Sequence, residues 1–218
     1  MLKRILVMLM SITYIATVFT GLNVKKTFTD INKLDNKLDF FEVGIIEQQL
    51  AEIITDEMRN TLIDNSAYIL KVRSVGNLEL DFLCATEPVE VVDVYKGDNI
   101  SKGEKISVFR SSSRLFYQLN GFNSINMDFV NAMKTGDEYL IFLEKKIDDI
   151  SVYRTVTGII APIFSIKDRK NIISKSLHTD GCMSVPYDDV KDNEFFVADE
   201  GALNALISFK KIMISEFC

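Results

Sequence analysis

Pro88-Val89-Glu90-Val91-Val92-Asp93-Val94-Tyr95-Lys96-Gly97-Asp98 is an extended, valine-rich run stopped by a glycine turn. Gly103 leads into a second run, Lys105-Ile106-Ser107-Val108-Phe109-Arg110, and Gly136-Asp137-Glu138 into a third, Tyr139-Leu140-Ile141-Phe142-Leu143. β-Branched and aromatic residues fit a pleated, half-buried surface, and the glycines supply the breaks between them. The three runs read as neighbouring strands of one curved antiparallel sheet. Working outward, Tyr68, Leu70 and Val72 alternate with Ile69, Lys71 and Arg73, which predicts a strand with one mainly apolar face. Gly76-Asn77 after it predicts a hairpin turn, since both residues tolerate positive φ. Val152-Tyr153-Arg154-Thr155-Val156, reached through a turn at Asp148-Asp149, completes a set of five. Pro88 lacks a ladder donor, so it marks an edge, a bulge or a bend, as the corner of a small barrel requires.

Helical patterns flank this β-rich centre. Ile46, Leu50, Ile54, Met58 and Leu62 recur every four residues, which predicts helix across 42–65. Thr55-Asp56-Glu57 resembles a cap within that stripe, so two short helices are the alternative to one long one. At the other end Asp199 is placed to cap a helix whose face carries Leu203, Leu206, Ile207, Ile214 and Phe217. Lys210 and Lys211 then lie nearer its C-terminal end, where the helix dipole favours cations. Residues 27–41 are polar and charged and read as a tether; residues 167–218 form a C-terminal extension.

The first 26 residues read as a targeting segment. Lys3 and Arg4 precede an apolar run that continues through Leu22, the pattern of a secretory signal. Ile5 to Val24 is uncharged and approaches the ~20 residues that span a bilayer as a helix. Val18-Phe19-Thr20 is a poor cleavage site, and no cysteine follows the run to carry a lipid. The expectation is export, with the protein membrane-anchored by residues 5–22 or secreted after cleavage. Beyond residue 26 the chain holds 31 acids against 21 bases, a net charge of −10. Such a body repels phosphate backbones and anionic head groups, which argues against nucleic acid as a partner and confines membrane contact to the N-terminal segment.

Candidate chemistry is sparse. His178 is the sole histidine, so a site of several imidazoles is impossible. His178 and Cys182 bracket Gly181 without a cysteine-peptidase signature, and they read as a solvated loop. Gly97 to Gly103 lacks P-loop spacing and is a turn. Asp148-Asp149 and Asp188-Asp189 with Asp192 lack EF-hand spacing and read as acidic turns. Ser111-Ser112-Ser113 has no nucleophile-elbow context. Cys84, Cys182 and Cys218 are too few for a disulfide framework; free or buried thiols are the favoured reading, and Cys182 with Cys218 is the less constrained pair if one bridges. We expect no cofactor and no metal. The insert from Ser111 to Met133 is the one positive feature, with Asp128 to Met133 a candidate helical turn. Its aromatics Phe116, Tyr117, Phe122 and Phe129 form a contact rim if they are exposed together, and a lid if they pack over the barrel.

With the five β-prone segments in place, Tyr95-Lys96-Gly97-Asp98 and Gly136-Asp137-Glu138-Tyr139-Leu140-Ile141-Phe142-Leu143 resemble the strand ends of a family of small exported bacterial domains, mostly without an assigned activity. These are akin in fold to the tissue inhibitors of metalloproteinases and to netrin modules. The resemblance spans residues 66–166 and implies a mainly β, α+β architecture: a five-stranded OB-like antiparallel barrel with helices before it and a terminal helix. The inhibitory mechanism of the animal proteins is not implied, because it needs an N-terminal cysteine and none precedes Cys84. The expected function is an extracytoplasmic binding or accessory domain acting on an unknown cell-envelope or secreted protein. Inhibition of a secreted or envelope hydrolase is the alternative, and an enzyme with an unrecognised carboxylate or thiol site a third.

Overall fold

The structure, a computed structural model, describes residues 2–27, 31–53, 56–81, 84–110, 114–117, 123–147, 151–174 and 183–218. It divides into two units, Met1–Lys37 and Leu38–Cys218. The first is dominated by helix α1 (Leu2–Thr27). Its apolar side chains point outward all round: Ile5, Leu6, Met8, Ile12, Ile15 and Phe19 are each more than half exposed. Several of its hydroxyls are satisfied within the helix. Ser11 donates to the Val7 carbonyl at 2.9 Å, and Thr20 to that of Ala16 at 2.8 Å. Such back-bonding is how a polar side chain survives without water.

In the second unit a short 3-10 turn (Lys37–Phe40) leads to strand β1 (Phe41–Gly44), then α2 (Gln48–Ala51) and α3 (Asp56–Asn65). The predicted helix over 42–65 is therefore a strand followed by two short helices. The fold also starts earlier than the predicted tether allows, because Leu38 and Phe41 are already buried.

Five strands then close a barrel: β2 (Tyr68–Ser74), β4 (Cys84–Lys96), β5 (Lys105–Phe109), β8 (Glu138–Ile147) and β9 (Val152–Thr155), with β3 (Glu79–Asp81) alongside the start of β4. β2 pairs with β4, β4 with β5, β5 with β9, β9 with β8, and β8 returns to β2. The β5–β9 pairing is parallel and the other four are antiparallel, so the barrel is OB-like but not wholly antiparallel. Val72, Val89, Val91, Val108 and Ile141 fill it, each at most 1% exposed, while Leu140, opposite Lys71, is buried on the outer face of β8.

Two local expectations change in detail. β3 pairs antiparallel with the start of β4, Asp81 opposite Cys84, so Gly76-Asn77 does not join two paired strands. Gly76 has another role, since a Cβ there would meet the Pro88 ring at 2.7 Å. Pro88 in turn sits where β4 exchanges β2 for β3 as its neighbour, and its carbonyl accepts from Val75 N–H at 3.0 Å. β4 runs on through Pro88, and the irregularities of its ladder with β2 fall farther along, where Val92 and Tyr95 are extra residues.

The 111–133 insert contains two strands, β6 (Arg114–Tyr117) and β7 (Asn123–Asn126), paired antiparallel. β7 also pairs in parallel with β1, and β1 pairs with β11 (Ser184–Pro186), giving a second sheet in the order β11-β1-β7-β6. A further strand, β10 (Ile163–Ser165), extends the barrel wall from β8. After α4 (Tyr187–Val190) the chain ends in α5 (Glu200–Phe217). Asp199 caps α5 as predicted, accepting from Ala202 N–H at 2.8 Å, and its other oxygen accepts from Gln48 N–H at 2.9 Å. One carboxylate thus tops α5 and the start of α2 together. Leu206, Phe209 and Met213 bury the inner face of α5, with Leu203, Ile207, Ile214 and Phe217 packed at its margins.

Candidate functional site

Of the four sequence-predicted rim residues, Phe116, Tyr117 and Phe129 lie among the described residues. Phe116 and Tyr117 lie on β6 opposite Ser124 and Asn123. Phe122 falls outside the described residues, as do His178, Cys182, Ser111 to Ser113 and Asp148-Asp149. Phe129 is half-buried against the core, and a methyl group at Gly44 would touch its ring at 3.6 Å.

What organises this region is Arg110, which sequence reasoning left at the end of a strand. It is 1% exposed, in the joint between the barrel and the second sheet. Its guanidinium donates to three carbonyls of the insert, Met127 at 2.9 Å, Val130 at 2.6 Å and Asn131 at 3.1 Å. It also pairs with Glu87 on β4 at 3.2 Å, while the second Glu87 oxygen accepts from Met133 N–H at 2.6 Å. Between those anchor points, Asp128 and Phe129 have φ of 47° and 58°, both left-handed without being glycine. The expected helical turn at 128–133 is replaced by this corner. Its own carbonyls are taken up, with Asp128 accepting from Ala161 N–H and Phe129 from Phe196 N–H.

Polar side chains continue from the corner into the C-terminal extension. The Asn131 amide donates to the carbonyls of Lys191 and Asn193 at 2.9 and 2.8 Å, and its oxygen accepts from the Tyr187 hydroxyl at 3.0 Å. Burial pushes the Tyr187 phenol up to about 12. Farther on, Glu194 accepts from Ser165 N–H at 2.8 Å and from Lys210 Nζ at 2.6 Å. Burial raises the Glu194 pKa, with the Lys210 ammonium opposing it. Lys210 therefore does not solvate the helix C-terminus as expected; it is 4% exposed and also donates to the Lys167 carbonyl.

The outside of the barrel is charged and paired. Across the wall, Lys105 lies opposite Glu90, Glu90 opposite Arg73, and Arg73 opposite Glu138. Glu138 takes Lys71 at 2.9 Å and Arg73 at 2.7 Å, which holds its carboxyl below the usual range. The next carboxylate, Asp137, binds Lys167 and Arg169, and Arg169 also hydrogen-bonds the Tyr139 hydroxyl. A face whose bases are already matched by acids has little cationic charge left to release counterions from a phosphate backbone.

Concavities lie elsewhere on the surface. An apolar pocket of about 130 Å³ lies between α3 and the turn at 156–160, lined by Leu62, Val156, Ile159 and Ile160 with Thr61 and Asn65. An open acidic basin of about 350 Å³ is lined by Glu47, Glu52 and Asp199. Among the described residues no group of three metal-ligating side chains converges. Asp188 pairs with Lys191 and Asp192 with Lys134, as solvated turns do. Cys84 and Cys218 are free. Cys218 accepts from the Tyr95 hydroxyl at 3.4 Å, near one end of β4, while Cys84 starts its other end. That separation, roughly 30 Å along the strand, rules out a bridge between them in one chain. The chain matches no family model and no curated protein.

Proposed function

We propose that this chain is an extracytoplasmic binding or accessory module, carried to or held at a membrane by α1, with the 114–133 region as its contact rim. The observation behind the reading is α1 itself. Lys3–Asn23 offers 21 residues of apolar helix, none of it covered by protein. At ~1.5 Å per residue this matches the ~30 Å hydrocarbon core of a bilayer. Apolar surface of that extent is stable in lipid or in an export channel and costly in water. The net charge of −10 outside the leader and the paired outer wall of the barrel favour a protein partner over nucleic acid. The likeness to exported bacterial domains of the metalloproteinase-inhibitor and netrin fold agrees with this and remains part of the proposal.

The test is fractionation of cells expressing the full chain, followed by protease treatment of intact and opened cells. Recovery with membranes or in the extracellular fraction, with the barrel accessible from outside, supports the reading; an intact soluble product inside the cell overturns it. Affinity capture of the detergent-solubilised chain from envelope extract then addresses the partner. Retention of a hydrolase together with loss of its activity would favour the inhibitor alternative.

A further inference from the structure

We infer that the corner at residues 127–133 is a separately openable fastening between barrel and rim, closed by the single guanidinium of Arg110. Two kinds of observation meet there. The corner is costly: Asp128 and Phe129 are both left-handed, a conformation disfavoured for residues bearing a Cβ. The fastener is costly too, because a fully buried ion pair is desolvated and the Arg110 Nε has no partner. What holds the inner side of the corner is three insert carbonyls on Arg110, and Met133 N–H on Glu87. Ala161, Phe196 and the Asn131 N–H bond to Glu194 hold its outer side.

The barrel carries both anchors, Glu87 on β4 and Arg110 just after β5, but its backbone ladders do not run through the corner. Its strands are closed by their own ladders, including β5 with β9 and β9 with β8. Opening the corner therefore leaves the barrel intact, releases Phe129 from its packing against the core and frees the end of β7. This inference concerns the chain alone and stands apart from the binding reading, so either can fail without the other.

Native-state hydrogen exchange on the full chain in detergent micelles tests it without any substitution. The amides of Val130, Asn131 and Met133 should exchange through a local opening insensitive to low urea. Those of Val72, Leu140 and Ile141 should exchange only through global unfolding. In R110M, exchange at the corner should accelerate on the order of a hundredfold or more while the barrel amides keep their protection. E87Q keeps an acceptor for Met133 N–H and should give a smaller acceleration at the same amides. Corner and barrel amides exchanging together in the unaltered chain would overturn the inference. So would an E87Q or R110M chain that loses protection throughout.

Discussion

The barrel wall and the 127–133 corner are both buried, yet they are held together by opposite means. Inside the wall, Val72, Val89 and Ile141 belong to one apolar cluster, and Lys71, Arg73 and Glu138 stand outside in matched pairs. At the corner and the C-terminal joint, Glu87, Arg110, Asn131, Glu194 and Lys210 are buried and bound to one another or to backbone. Apolar packing is non-directional and tolerates small shifts, whereas a buried charge is stable only in one geometry. The wall thus supplies stability, and the polar joints determine how the second sheet and the C-terminal extension sit on it.

That contrast can be broken in order of expected effect. Phe142 is fully buried and meets the rings of Phe164 and Phe217 edge-on at 6.1 and 5.7 Å. Phe142→Ala should cost about 3–5 kcal/mol and shift the whole urea transition, since the wall unfolds as one unit. A transition that split in two would show the wall to be less cooperative than its packing implies.

Lys210→Met should come next, at about 3 kcal/mol near neutral pH, because it strands the buried Glu194 carboxylate. Burial already raises the Glu194 pKa, so its ionised form is the costly one in the fold. The penalty should therefore shrink as acid protonates Glu194, read from urea midpoints across a pH series. Adding Glu194→Gln should recover much of the loss, because no uncompensated charge then remains. Failure to recover would mean that Lys210 acts through packing of its stem.

Gly97→Ala should cost about 2 kcal/mol, since Gly97 has φ of 119° and a Cβ there would meet the Tyr68 ring at 2.3 Å. This tests the wall at its turn, where backbone conformation and not apolar area is limiting. Thermal unfolding measures it directly, and a neutral result would show that Tyr68 can move aside.

Glu138→Gln should have the smallest effect, below about 1 kcal/mol, as its pair with Lys71 and Arg73 is partly solvated. Its folded pKa is lowered, so the stabilisation is present above the ordinary carboxylate value and lost as pH falls through the folded one. Wild type and variant should converge in acid. A difference that persisted there would make Glu138 a packing residue.

Much of the wall was legible before any coordinates. Alternation at 68–72, the valine run of β4, the glycine before β8 and the fifth run at 152 each carry their signal within a few residues. Gly97 and Gly136 both adopt positive φ, as their places at strand breaks imply. The candidate site was legible only as an aromatic insert. Phe116, Tyr117 and Phe129 are where the sequence lists them, but nothing local says that β7 will lie parallel to β1, some eighty residues earlier. Nothing local to Arg110 or Lys210 announces its burial, because their partners lie far along the chain.

By itself the sequence determined the apolar N-terminal helix, the five runs of the barrel and the capped terminal helix, because strand alternation, glycine turns and an aspartate cap all act over a handful of neighbours. Tertiary structure alone decided which strands close on which, that one barrel contact is parallel, and that Arg110 and Lys210 are buried. Those outcomes depend on groups from distant segments meeting in a space without water, where a charge must find its counterpart or be excluded.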